Sequence, residues 1–294
     1  MCVFNTTNKI PFSALIKAEN SLMLIIFKLR KSIIGFLFTL IIYLNSSAQD
    51  SSLNRSVQKM PSSLGLKYDL VTFGNGGNSP WSLLNLEYNA HIKKMPVIAR
   101  LNYANRFSQS GLQFEADAYP LICKGVYAYV NVGYSKDSLL FPIYRSGLSL
   151  YVSLPSAFEA EGGIRLLVFN SPTYIYTASL GKYHKNYWFN VSTFLTPQNN
   201  SLLQSYFLKC RYYFNDKDYM MLTVGTGISP DNRNNNIQLN SNNNVGSKNT
   251  EISIRHSLNK KFVILANAGW MSVEYLQKKY SHQYNFGLGL QRDL

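Results

Sequence analysis

From Leu64 to the end of the chain, apolar and polar residues alternate with a period of two, the pattern of a strand whose two faces meet different surroundings. In the run Leu112–Tyr119, Leu112, Phe114, Ala116 and Ala118 share one face, while Gln113, Glu115, Asp117 and Tyr119 share the other. Val97, Ala99, Leu101 and Tyr103 oppose Ile98, Arg100, Asn102 and Ala104 in the same way. Near the end, Tyr284, Phe286, Leu288 and Leu290 oppose Asn285, Gly287, Gly289 and Gln291. Segments of about ten residues suit tilted strands that cross a bilayer. The alternation predicts fourteen of them, near 64–73, 81–91, 95–106, 111–120, 126–135, 144–153, 157–168, 172–181, 187–195, 202–214, 218–228, 249–257, 261–270 and 281–291. An even count is that of bacterial single-chain barrels; fusion of two weak segments would leave twelve. The expected fold is all-β, a transmembrane antiparallel up-and-down barrel over 64–294.

The connections test this expectation independently. With a periplasmic N-terminus, even-numbered connections should be tight turns and odd-numbered ones longer loops. The even ones, His91–Met95, Leu121–Gly125, Pro155–Ala157, His184–Asn186, Asn215–Asp218 and Asn259–Lys261, are all short. The odd ones include Gly74–Pro80, Lys136–Pro142, Ser272–Lys278 and the longest, Pro230–Lys248. A soluble sandwich has no reason to sort its loops by parity. Residues 230–250 hold nine asparagines in 21 positions, which suits a solvated surface loop.

The N-terminus changes the picture of location. Met23–Ala48 has a basic start (Lys28, Arg30, Lys31), an apolar core from Ile33 to Leu44, and small residues at Ser46 and Ala48. This is the anatomy of a secretory signal peptide cleaved after Ala48, the alternative being a membrane anchor. Residues 1–22 read as an extension from a mis-assigned start, and 49–63 as a short periplasmic segment. Cleavage would remove five basic residues and one acidic one, leaving a net charge of +10. The charges are scattered rather than clustered, so nucleic acid is not an expected partner; anionic lipopolysaccharide or polysaccharide fits better. Cys123 and Cys210 are read as small apolar residues, with a bridge between them the lesser alternative. Aromatic residues make up 14% of the chain. Trp81 and Trp270 near outer strand ends, and Tyr119, Tyr187 and Trp188 near inner ones, suggest two interfacial girdles.

Charged residues fall in phase with the polar face. A lysine or arginine at mid-depth on the lipid face would cost about 2–4 kcal/mol, so these groups are expected to line the lumen. The candidate polar cluster is Arg100, Arg106, Glu115, Asp117, Arg145, Glu159, Glu161, Arg165, Lys209 and Arg211, with Lys67, Asp69, Glu87, Glu251 and Arg255 in the same phase. Eight basic groups against seven acids make the interior nearly neutral. Adjacent strands should set Arg100 and Arg106 opposite Glu115 and Asp117, and such pairs hold register. They would act either as a structural polar plug or as a selectivity-setting lining. Catalytic signals are poor: His91, His184, His256 and His282 are dispersed, and no serine or cysteine has the spacing of a nucleophile with its base. No metal-ligand spacing and no phosphate loop stands out. No enzyme activity, cofactor or metal is expected.

Several words in order carry a resemblance. They are Ser79–Tyr88, Arg100–Phe107, Gly111–Pro120, Gly125–Tyr129, Gly133–Ser135, Leu140–Pro142, Gly181–Tyr183 with Asn186–Trp188, and Ser229–Asp231. As an ordered set they resemble the YaiO family of outer-membrane β-barrel proteins, over roughly 64–294. The resemblance implies a barrel in the bacterial outer membrane, in contact with its lipid and lipopolysaccharide and delivered by the barrel-insertion machinery. Some members carry an N-terminal tetratricopeptide-type region. Here about fifteen residues separate the expected cleavage site from the first strand, so that module is not expected. His184-Lys185 stands where the family more usually turns on glycine. No catalytic residue carries over. The expected role is porin-like or assisted passage of polar solutes, linked to surface polysaccharide export only by analogy with other helical-repeat-plus-barrel exporters. A closed structural or adhesive barrel acting through its outer loops is the alternative, and an outer-membrane hydrolase or acyltransferase comes third.

Overall fold

The computed structural model describes residues 62–74, 79–106, 108–136, 139–198, 201–232, 247–276 and 279–294. The expectations for 1–22, the signal peptide 23–48 and the segment 49–61 lie outside the described residues, as does the stretch 233–246 of the Asn-rich loop.

Period-two alternation becomes strands β1 (Ser63–Phe73), β2 (Trp81–Ile92), β3 (Met95–Arg106), β4 (Gln109–Ala118), a stub β5 (Leu121–Cys123), β6 (Val126–Ser135), β7 (Tyr144–Leu154) and β8 (Phe158–Val168). They continue as β9 (Pro172–His184), β10 (Tyr187–Gln198), β11 (Ser201–Tyr213), β12 (Tyr219–Thr226), β13 (Ser247–Ser257), β14 (Phe262–Leu276) and β15 (Lys279–Asp293). β4 pairs directly with β6, and β5 is a three-residue appendage on β6 within their turn. β15 returns to β1 in register from Ser63↔Asp293 to Phe73↔Gln283, so the sheet closes. The wall therefore has fourteen strands, not twelve. Closure pairs every wall strand on both sides, which a bilayer core demands because it offers backbone groups no water.

The two faces of the wall have opposite chemistry. Leu64, Leu66 and Tyr68 on β1, and Phe286, Leu288 and Leu290 on β15, point outward and are 44–65% exposed. Asp69, Asn102, Gln113, Glu115, Asp117, Asn131, Arg145 and Arg165 point inward and are buried. So large an apolar surface would be an aggregation hazard in water; in lipid it is simply solvated. Tyr187, Tyr212 and Phe214 form part of an outward belt at one end, with ring centroids 4.9 and 5.1 Å apart along the series. Tyr134 with Tyr144, 5.6 Å apart, and Trp270 mark the other. Three of the expected girdle residues are corrected. Trp81 and Trp188 share the phase of Leu83 and Asn190 and face the lumen, and Tyr119 packs at 5.4 Å against the inward Tyr129.

Both ends of the closing seam, Ser63 and Asp293, lie at the end with tight turns, which is periplasmic by the rule for such barrels. The two longest connections, 136–143 and 227–246, join strands at the opposite, extracellular end, as does 74–80; the β4–β6 connection, 119–125 with its stub β5, is the long one at the periplasmic end. The expected outer loop at 272–278 is largely strand, because β14 and β15 run on as a hairpin with a register shift between Glu274 and Leu276. Cys123 and Cys210 are both free, so no bridge joins them.

Inner-face glycines are placed where side chains on neighbouring strands need room. A Cβ on Gly163 would sit 2.4 Å from the Leu148 carbonyl oxygen and 2.7 Å from Ser149 Cα, backbone atoms that cannot step aside. Gly163→Val should abolish the compact, fast-migrating form on an unboiled denaturing gel. Gly162→Ala, whose Cβ meets nothing within 4 Å, should retain it.

Candidate functional site

Inside the barrel a continuous polar belt crosses half the wall. It starts on β2, where Glu87 Oε2 accepts from Arg100 Nε of β3 at 2.6 Å. Arg100 Nη1 also donates to Asp117 of β4. Asp117 Oδ1 accepts from Asn131 Nδ2 of β6 at 2.6 Å, and Asn131 Oδ1 accepts from Arg145 Nε of β7 at 2.9 Å. Glu115 lies beside this line, 4.0 Å from both Arg100 and Arg145, and accepts from Asn102 Nδ2 at 3.2 Å. On β8, Arg165 donates to Ser149 Oγ at 2.7 Å and covers the Tyr129 ring at 4.7 Å. Glu161 accepts from Ser149 at 2.6 Å and from Thr177 of β9 at 2.7 Å. Charges this deep persist only when paired and hydrogen-bonded, and the belt supplies both. Gly133 and Gly147 make it possible, since a Cβ there would meet Glu115 Cγ at 3.1 Å and Arg165 Cδ at 2.7 Å.

The gap between Arg145 and Arg165 is bridged by a residue from an outer loop. After β12 the chain turns at Gly227, whose φ of +80° and 2.1 Å approach of its virtual Cβ to Ser205 Oγ admit no side chain. Ile228 N–H then donates to Ser205 Oγ at 3.0 Å, and Ile228 packs on the buried cluster of Leu167, Phe169, Ile175, Phe194 and Phe207. Ser229–Asn232 forms a self-bonded turn, with Asp231 N–H donating to Ser229 Oγ at 3.3 Å and Asn232 N–H to the Ser229 carbonyl at 3.1 Å. Asp231 Oδ1 is thereby held 3.4 Å from both Arg145 Nη2 and Arg165 Nε. Pro230 is buried and its carbonyl accepts from Arg145 at 3.2 Å. This corrects the surface-loop reading of 230–250 at its two described ends: Pro230–Asn232 fold into the lumen, and Ser247–Thr250 belong to β13, while 233–246 lie outside the described residues. A second outer connection also folds in. Leu140 and Phe141 are fully buried against Leu83 and Ala104.

A cavity of about 420 Å³ lies beside the inserted turn, within the usual size range of small-molecule sites. Its charged lining is mixed: Lys67, Arg100 and Lys209 against Asp69, Glu87, Asp231 and Glu251. Amides from Asn85, Asn249, Asn267 and Asn285 complete it, and the Oδ1 atoms of Asn267 and Asn285 are buried without a hydrogen-bond partner.

All ten candidate residues face the interior, but they do not form one cluster. Arg100 and Lys209 line the cavity, while Glu115, Asp117, Arg145, Glu161 and Arg165 belong to the belt. Arg106 lies opposite Gln109, not opposite Glu115 or Asp117, with Trp81 and Phe141 rings 5.7 and 6.0 Å away. Glu159 accepts from Tyr127 OH at 3.2 Å near the inner end of its strand. Arg211 sits over Trp188 and Tyr219 at 4.8 and 4.5 Å and donates to Tyr213 OH. The residue that sequence reasoning missed is Asp231. Its only signal was the Ser229-Pro-Asp word, because strand phase says nothing about a loop.

A channel for monoaromatic hydrocarbons, CymD, shares the architecture at 8% identity and a TM-score of 0.50, over 80% of this chain and 89% of that one. A bacterial polysaccharide outer membrane secretin matches at 10% identity and a TM-score of 0.54, over 80% of this chain and 99% of that one. At such identities the likeness speaks for the fold alone. No curated protein sequence matches the chain. The family model for the YaiO membrane beta barrel domain matches residues 61–232, a span that includes the whole polar belt and the inserted Ser229–Asn232 turn. The chain is therefore a member of the YaiO membrane β-barrel family, a protein of the bacterial outer membrane.

Proposed function

We propose that this barrel is a constricted channel that passes polar solutes across the outer membrane. The observation that carries this reading is the open polar cavity left beside the inserted turn. Seven charged side chains of both signs line it, so no single ion type is favoured by sign alone. Channel selectivity arises from such rings of charge and from the donors and acceptors between them. The amide-rich wall suits neutral or zwitterionic polyhydroxylated solutes, which can both donate to and accept from carboxamides. Saccharide units are of this kind, and a role in polysaccharide export is the extension of this reading. A closed structural barrel is favoured by a different observation, the two outer connections folded into the lumen. Single-channel recording of the refolded barrel in a planar bilayer separates the two. Discrete steps are expected, with ion selectivity moving toward cations in Lys209→Glu; a folded barrel that stays electrically silent would leave the structural reading standing instead.

A further inference from the structure

The turns at the periplasmic end have a composition that the channel reading does not use. They carry seven lysines against two aspartates: Lys93 and Lys94 between β2 and β3, Lys124 before β6, and Lys185 between β9 and β10. Lys217 between β11 and β12, with Lys260 and Lys261 between β13 and β14, complete the set. All seven are exposed. One of the two acids, Asp218, is committed within its own turn. It accepts from Asn215 Nδ2 at 3.0 Å and from Ser257 N–H at 2.8 Å, bonds that hold its carboxyl down to about 2. At the extracellular end, the described connecting residues outside strands carry only Lys136 and Asp231 as charges, and Asp231 points into the lumen.

Two of the lysines also occupy costly positions. Lys93 and Lys185 have φ of +58° and +52°, the left-handed region that glycine or asparagine enters with less strain. Ser108, Ser156 and Ala157 take the same φ in other tight turns, so the conformation belongs to the turns, and at two of them this chain fills it with lysine.

The arrangement around the wall identifies the partner. The lysines lie in five of the six turns that join wall strands at this end, so they ring the barrel and do not gather on one flank. They begin where the outward aromatic belt of Tyr187, Tyr212 and Phe214 ends, which is the depth of lipid headgroups. Lys182 and Arg292 already bend over belt rings at that level, Lys182 Nζ standing 3.8 Å from the Phe158 centroid and the Arg292 guanidinium 6.0 Å from that of Phe262. A protein partner docks on a patch; a leaflet surrounds the barrel on all sides. We infer that the lysine rim is a binding surface for anionic phospholipid headgroups of the periplasmic leaflet, which anchors the barrel's depth and retains a shell of acidic lipid. Juxtamembrane lysines gain from an anionic surface in this way, and the gain falls with ionic strength.

The test is native mass spectrometry of the refolded full-length barrel, released from bilayers that mix phosphatidylglycerol and phosphatidylcholine. The wild type should retain phosphatidylglycerol in preference, and the preference should shrink on adding salt. A variant with Lys93→Asn, Lys185→Asn, Lys94→Gln, Lys260→Gln and Lys261→Gln should lose that preference by about tenfold. Asparagine fits the left-handed turns, so this variant should keep its heat-modifiable migration, and its fold is checked on the same sample. An extracellular-end control, Lys136→Gln with Lys248→Gln, should behave as the wild type. Equal retention of the two lipids by the wild type, or an undiminished preference in the five-site variant, would overturn the inference. So would capture of polyglutamate at the rim without any lipid preference, which would point to an acidic protein partner.

Discussion

Asp231→Ala is expected to raise the single-channel conductance of the refolded barrel severalfold and to make the open level noisier. The inserted turn is held by an apolar contact through Ile228 and by Asp231, whose one oxygen serves two arginines at 3.4 Å. These bonds are long for charge-assisted pairs, and the carboxylate is 44% exposed, so solvent screens them. Their loss should weaken docking of the turn by roughly 1–2 kcal/mol, about tenfold in occupancy. The wall itself would survive, because Arg145 keeps Asn131 and Arg165 keeps Ser149 as acceptors on the wall strands. Asp231→Asn should fall between, keeping the shape and losing the charge. Conductance unchanged in Asp231→Ala, with the fold intact, would mean that the turn does not obstruct the conducting path.

Arg100→Leu should be the most destabilising single change in the polar belt. One guanidinium neutralises Glu87 and Asp117 directly and stands 4.0 Å from Glu115. Its removal leaves carboxylates inside the barrel without that cation. Breaking a buried pair from one side costs roughly 3–5 kcal/mol, more than the pair contributes when intact. A matched drop in the urea midpoint for unfolding from lipid vesicles is the expected result. Arg100→Lys should recover only part of it, because an ammonium cannot present the fork that reaches two carboxylates on opposite strands. A variant as stable as the wild type would show that water enters the belt freely.

How much of this was legible beforehand differs residue by residue. The side of the wall on which Arg145, Arg165 or Lys209 falls follows from strand phase. A charge at mid-depth has only one tolerable direction, so phase and energy agree. Trp81 and Trp188 could have been placed by the same rule. Tryptophan's preference for interfaces suggested a girdle, but their phase with Leu83 and Asn190 puts them inside. Register was harder. Arg106 could not be set against Gln109 without knowing that β3 ends at Arg106 and β4 begins at Gln109, one residue's slip being invisible to composition.

The sequence by itself determined the closed up-and-down wall and its lipid-facing side and narrowed the count to fourteen strands or twelve, because these depend on local periodicity and on a bilayer that forbids unpaired backbone. The pairings decided fourteen. The tertiary structure alone decided what fills the lumen. Asp231 reaches partners 66 and 86 positions away, and Leu140 and Phe141 leave an apparent surface loop to pack inside the wall. Those contacts exist only once closure has brought distant strands round a common interior. The division of the lumen into a packed belt and an open cavity is therefore a property of the barrel and not of any strand in it.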